Sequence, residues 1–124
     1  MNEREQFGKK ISEFQAMQFK IADMVTELVA ARNMTRLAAF KIDQGHGEAT
    51  TYSAMAKRYA TDVGFNVCNE ALQIFGGYGY IQEYPLERNV RDVRVHQILE
   101  GTNEIMRMII GRRMIMEDAA SIIQ

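Results

Sequence analysis

From Ser12 to Gln44 the chain contains neither Gly nor Pro, and Phe14, Met17, Ile21, Met24, Val25, Leu28 and Val29, continuing to Ala31 and Met34, recur at helical spacing. The pattern predicts one long helix, about 50 Å at 1.5 Å per residue. Ser12 followed by Gln15 fits a capping box at its start, and Gly45-His46-Gly47 supplies a stop, because glycine takes the left-handed conformation that ends helices. A second helix is expected to begin near Ala49 to Thr51 and run to Phe75, with Ala54, Ala56, Ala60, Val63, Val67, Ala71 and Ile74 turned toward neighbours. Gly64 inside it costs up to about 1 kcal/mol relative to alanine, which suggests close helix packing at that point.

Gly76-Gly77-Tyr78-Gly79-Tyr80 interrupts the helical pattern, and the stretch up to Tyr84-Pro85 reads as a structured, aromatic-rich loop. Pro85 suits the first turn of a third helix, Leu86 to Ile98, with Val90, Val93 and Ile98 on its apolar side. After a break at Glu100-Gly101, Thr102 is a good N-cap for a fourth helix, and Glu104 complements the dipole in its first turn. Ile105, Met108, Ile109 and Met116 carry this helix toward Ile122 and Ile123. The expected fold is an all-α, up-and-down four-helix bundle, a single domain spanning residues 1–124.

Fifteen Lys and Arg against 16 Asp and Glu leave a net charge of −1, which excludes a polycationic nucleic-acid binder. Cys68 is the only cysteine, so an intramolecular disulfide and a cysteine zinc site are excluded and a reducing compartment is expected. No apolar run approaches the roughly 18 residues that span a bilayer, and the charged start lacks a signal-peptide core. The expectation is therefore a soluble protein of the cell interior, with no membrane insertion. Nine methionines, four of them at 106, 108, 114 and 116, suggest an adaptable helix-packing surface.

Several chemical motifs fail on inspection. Gly77-x-Gly79 does not complete G-x-G-x-x-G and no β-α unit surrounds it. His96 and Glu100 are four apart and could face one metal, but His46 is distant in sequence and no third ligand is at hand, so no metal is expected. Arg88, Arg91, Arg94, Arg107, Arg112 and Arg113 could meet phosphates, although a solvated face paired with Glu87, Asp92 and Glu117 explains them as well. Cys68 reads most simply as a small core residue. The most informative spot is Leu99-Glu100-Gly101-Thr102, a carboxylate in a sharp break beside a residue without a side chain. Glu100 either neutralises the positive start of the fourth helix or acts as a general base whose pKa rises when a ligand excludes water. Spacing alone favours the first.

Read together, Leu72-Gln73-Ile74-Phe75-Gly76-Gly77-Tyr78-Gly79-Tyr80, Glu83-Tyr84-Pro85, Arg91-Asp92 and Gln97-Ile98-Leu99-Glu100-Gly101-Thr102-Asn103-Glu104-Ile105 closely resemble the carboxy-terminal helical domain of acyl-CoA dehydrogenases. Arg4-Glu5-Gln6-Phe7-Gly8-Lys9 and Phe14-Gln15-Ala16 match that domain's opening, and the likeness runs from Arg4 to about Arg113 in the family's order. The resemblance implies α,β-dehydrogenation of an acyl-CoA thioester, with FAD taking a hydride from the β carbon while a glutamate, here Glu100, removes the α proton. In the family one hydrogen bond to the thioester carbonyl comes from that glutamate's own backbone N–H. Gly101 then corresponds to a substrate-contacting position and Leu99 borders the acyl pocket.

The resemblance likewise places Arg4 and Gln15 on the pyrophosphate and adenosine part of FAD bound to a neighbouring subunit, with Phe7 beside it and Gln73, Gly76 and Gly77 contacting the same region. Thr102 and Glu104 match positions that meet FAD in the subunit's own site, although some relatives carry glutamine where Glu104 stands. It implies a homo-oligomer, dimer or tetramer, with the Met-rich stretch Ile105 to Met116 at the interface, and electron-transfer flavoprotein as a partner of full-length members. Members also have an amino-terminal helical domain and a middle β domain, neither matched here, so this chain reads as the last third of something larger and as inactive alone. A cytoplasmic bacterial location is expected, with the mitochondrial matrix as the other possibility. A different class of function also fits: a stand-alone helical oligomerisation module whose catalytic motif is a relic.

Overall fold

The computed structural model describes residues 3–116 and Ile122. Four long helices follow a short amino-terminal hairpin: α1 (Gln15–Asp43), α2 (Ala49–Phe75), a single turn α3 (Gly77–Tyr80), α4 (Leu86–His96) and α5 (Asn103–Met116). The all-helical bundle read from the sequence is present. The hairpin pairs β1 (Glu5–Gln6) with β2 (Lys9–Lys10) in antiparallel register, Glu5 opposite Lys10 and Gln6 opposite Lys9. Phe7 and Gly8 form its two-residue turn with φ of 54° and 75°, the doubly left-handed geometry that matches strand twist. Sequence periodicity missed this element because two-residue strands carry no alternation to read.

Each boundary has a local cause. Gly45 (φ 59°) ends α1 in a double-bonded glycine cap: its N–H donates to Ile42 O at 2.9 Å and the N–H of His46 to Lys41 O at 3.0 Å. The start differs from expectation. Ser12 lies in a 3₁₀ turn (Ile11–Glu13) and Phe14, not Ser12, is the N-cap, without a side-chain cap bond. The Ser12–Gln15 capping box is absent; instead the Gln18 side-chain amide donates to Ser12 O at 3.0 Å. At the other break, α4 ends at His96, two residues short of Ile98. The N-cap role of Thr102 holds: its carbonyl accepts from Met106 N–H at 3.0 Å and its hydroxyl from Ile105 N–H at 3.4 Å. The expected continuation of α5 falls on residues 117–124, of which only Ile122 is described.

The architecture is organised around α2, against which α1, α3, α4 and α5 all pack. Its inward residues Ala54, Ala56 and Val63 are buried as predicted, and Ala31 and Ala38 of α1 and Met106 of α5 are buried too. Small side chains on both helices let α1 and α2 approach closely. Ala60, Val67, Ala71, Ile74, Val90 and Val93 are half-buried, but part of the apolar pattern comes out differently. Ile21, Val25, Leu28 and Val29 of α1, Ile98, and Ile105 and Met108 of α5 are exposed, because α2 offers a partner to only one face of each helix. Periodicity identified an apolar stripe on each helix without saying what covers it.

Gly64 also departs from expectation. A Cβ built there meets no atom within 4 Å, so close packing within the chain does not account for it. Gly64→Ala is expected to stabilise the chain by about 1 kcal/mol through helix propensity alone, raising the thermal midpoint by roughly 4 °C. A midpoint that falls in a thermal melt followed by circular dichroism would refute this.

Candidate active site

The residues singled out from the sequence fall into two groups, at different heights on α2. The first is the turn between α4 and α5. Glu100 has φ 56° and Gly101 φ 90°, so two consecutive residues are left-handed. For glutamate this conformation costs about 1–2 kcal/mol, whereas for glycine it is natural. A Cβ at Gly101 would lie 2.7 Å from Met106 Cε, the flexible end of that side chain, so the left-handed φ rather than crowding is what favours glycine here. The glycine therefore serves the turn as well as any ligand outside it. The Glu100 side chain is exposed, and Leu99 beside it is likewise solvent-facing.

Something must hold this turn in a strained shape, and the clamp is a polar cluster that the sequence reading passed over. Asn103, the first residue of α5, is buried to 2% exposure against α2. Its Oδ1 accepts from Lys57 Nζ at 2.8 Å, while its Nδ2 donates to Thr61 Oγ1 at 2.8 Å and Asp62 Oδ1 at 2.7 Å. A donor-only lysine on one side and an acceptor-only carboxylate on the other fix which way the amide faces. The backbone N–H of Asn103 donates to Gln97 O at 3.0 Å, closing the loop from the end of α4 to the start of α5. Lys57 Nζ also donates to Gly101 O at 2.7 Å. The missed signal was present: Lys57, Thr61 and Asp62 interrupt the Ala54, Ala56, Ala60, Val63 face of α2 with polar groups at i, i+4 and i+5.

Asp62 is the electrostatic centre of this cluster. It also accepts from Gln97 Nε2 at 2.8 Å and Arg107 Nη2 at 3.2 Å, with Arg58 Nη1 at 3.7 Å. Burial pushes its carboxyl up, but the hydrogen bonds from Gln97 and Asn103 and the Arg107 and Arg58 guanidinium groups together outweigh this and hold it below the ordinary carboxylate value. Thr102, Glu104 and Arg107 line a small cleft of about 180 Å³ beside it. Glu104 makes an exposed ion pair with Arg107 at 3.7 Å.

The second group lies at the far end of α2. The Arg4 guanidinium lies against Gly76 and donates from Nη1 to Phe75 O at 2.9 Å; a Cβ on Gly76 would sit 2.6 Å from that nitrogen. With φ 63° and ψ −142°, Gly76 also occupies backbone space that side chains avoid. Arg4, Ile11, Phe75, Tyr78 and Tyr84 line an open cleft of about 330 Å³ here, and Tyr84 stacks edge-on to both Phe75 and Tyr78. Gln73 is exposed on the last turn of α2, Gly77 opens α3, and Gln15 is exposed at the start of α1. Phe7 stands at the hairpin tip with 94% of its surface in solvent. Gly76, just past the end of α2, lies nineteen positions after Lys57, about 28 Å along the helix, so the structure does not bring the two groups together.

The arginine-rich stretch is largely engaged locally. Arg91 pairs with Glu87 at 2.9 Å, Arg94 lies 5.9 Å over the Phe65 ring, and Arg113 Nη2 donates to Gly47 O at 3.3 Å. The pairing expected for Glu117 falls outside the described residues. Cys68 is half-buried, and burial pushes its thiol up, away from a reactive thiolate. Among the described residues no group of three or more His, Cys, Asp or Glu could hold a metal ion, and no helix is long and apolar enough to cross a membrane.

A helical domain built on a central helix, with a strained carboxylate turn near one end and an arginine-glycine cleft at the other, defines a class, and comparison with known proteins specifies it. Residues 1–115 match the family described as acyl-CoA dehydrogenase, C-terminal domain, and the chain belongs to that family. It is 49% identical over 114 residues to mitochondrial isobutyryl-CoA dehydrogenase from Bos taurus, covering 92% of this chain and 27% of that one. The solved structure of butyryl-CoA dehydrogenase from Megasphaera elsdenii superposes with a TM-score of 0.87 at 47% identity, over 91% of this chain and 29% of that one. An FAD complex of PigA superposes with a TM-score of 0.86 at 35% identity, over 91% and 29%. The chain thus spans under a third of the length of these relatives.

The depressed Asp62 carboxyl makes stability depend on pH in one direction. Unfolding returns its pKa to about 3.9, so the stabilisation is present above that value and is lost as pH falls through the lower folded value. Asp62→Asn is expected to lose about 1–3 kcal/mol at neutral pH and to show a shallower loss of stability below pH ~4 than the parent chain. Urea midpoints measured across that range test it, and identical slopes would exclude Asp62 as the source.

Proposed function

We propose that this chain supplies the base and part of the cofactor contacts of an FAD-dependent acyl-CoA dehydrogenase. The observation that carries the reading is the Glu100-Gly101 turn: a glutamate held left-handed at a cost in stability, exposed, and clamped to α2 from behind. Such strain persists where the surroundings over-determine it, and a carboxylate that must meet a carbon acid in one direction is a use for it. In the reaction the α C–H bond breaks and its proton passes to the Glu100 carboxylate as the Cα–Cβ double bond forms. Desolvation by the bound thioester raises the basicity of Glu100, and a hydrogen bond from its own backbone N–H to the thioester carbonyl acidifies the carbon. FAD, when bound, supplies the acceptor for the β hydrogen as hydride.

The far cleft fits the nucleotide half of such a cofactor. Arg4 donates from Nη1 to Phe75 O with its guanidinium laid against Gly76, and Gly77 beside it has open space where a side chain would stand, a combination suited to a pyrophosphate. Gln15, Gln73 and Phe7 are assigned to the same end, and Thr102 and Glu104 to the other. The 28 Å or so between the two ends favours the arrangement in which they serve different cofactors, one of them bound to a neighbouring subunit. The exposed apolar faces of α1 and α5, including Val25, Leu28, Ile105 and Met108, support a homo-oligomer, dimer or tetramer. An acyl-CoA thioester as substrate, electron-transfer flavoprotein as partner and a bacterial cytoplasmic setting complete the reading.

These 124 residues mixed with FAD are expected to show no acyl-CoA-dependent reduction of an electron acceptor, because they match under a third of the length of the relatives and an active site of this kind needs the rest. Placed in butyryl-CoA dehydrogenase from Megasphaera elsdenii in exchange for the matching segment, they should support turnover. Glu100→Gln in that hybrid should then lower turnover and α-proton exchange by about 10²–10⁴-fold with FAD still bound. Unchanged exchange would sink the assignment of Glu100.

A further inference from the structure

A base that meets one C–H bond needs a fixed direction, and Glu100 is exposed, so its aim depends on the backbone beneath it. That backbone is left-handed at two consecutive residues, inside a loop closed by the Asn103 N–H to Gln97 O bond. Lys57 reaches it from α2. Its ammonium bridges Gly101 O at 2.7 Å and Asn103 Oδ1 at 2.8 Å, joining the peptide just after Glu100 to the buried first residue of α5. Both bonds are charge-assisted and short, and the lysine is half-buried, so water competes weakly with them.

We infer that Lys57 is a positioning residue for the reaction: by clamping the left-handed Glu100-Gly101 turn to α2 it aims the Glu100 carboxylate. The inference rests on Glu100 being the base. Its geometric half does not, because the clamp can be measured on the turn itself. Thr61 and Asp62 orient the Asn103 amide that Lys57 grips, which makes the lysine one end of a rigid relay from α2 to the turn.

Two measurements test this. In this chain, Lys57→Met should speed amide hydrogen exchange at the Asn103 N–H, bonded to Gln97 O, by at least tenfold, while the His46 N–H in the α1 cap exchanges as before. In the hybrid dehydrogenase, Lys57→Met should lower kcat at least tenfold with KM within twofold, and should cause no further loss in a Glu100→Gln background. Lys57→Gln, which keeps a donor, should fall between, and serves as the variant if the methionine form does not fold. Unchanged exchange at Asn103, or faster exchange with unchanged kcat, would overturn the role of Lys57. If Glu100→Gln alone leaves turnover intact, the base assignment fails while the exchange measurement still decides the clamp.

Discussion

The structure depends on one buried side chain, the Asn103 amide, docked into a polar notch on α2. Burying an amide is unfavourable unless every polar atom finds a partner, and here a lysine, a threonine hydroxyl and a carboxylate meet all of them. The same contacts determine where α5 begins and how α4 ends, since Gln97 contributes both its carbonyl to Asn103 and its side chain to Asp62. The strained turn between them is a product of that docking. Removing one partner would leave a buried polar atom unsatisfied, so the network tolerates loss of a member poorly. Polar specificity at this point has more influence on the architecture than the thin apolar core does.

That core is thin because three of the four long helices share a single neighbour. α2 is covered from several sides, and its alanines are correspondingly buried, whereas α1 presents Val25, Val29, Leu37 and Phe40 to solvent. Helical amphipathicity is normally read as a stripe facing the interior. In this chain much of the stripe faces outward, where the proposed homo-oligomer would cover it.

What could be read from the sequence follows from how local each cause is. Gly45, Thr102 and Pro85 act within one helical turn, and the boundaries they mark were read within a residue or two. The inward residues of α2 were legible because a helix surrounded on several sides has to be apolar there. Ser12 misled because a cap motif is only four residues wide and the 3₁₀ turn at Ile11 competes for the same backbone. Glu100 and Gly101 were legible as a break, but the clamp was not: Lys57 and Asn103 are 46 residues apart, and nothing local announces that they touch. Gly76 reads as a break in the helical pattern and, by resemblance, as a cofactor contact, and proves also to be the surface against which Arg4 lies.

The uninterrupted run of α2 from Ala49 to Phe75 has a consequence of its own. A continuous helix is a ruler with a fixed pitch: one residue added between Val63 and Phe75 would advance the arginine cleft by about 1.5 Å and swing it by about 100° about the axis. The carboxylate turn, anchored near Lys57, would stay where it is. The segment is therefore constrained in its residue count as well as in its side chains, since the phase between the two ends is set by counting.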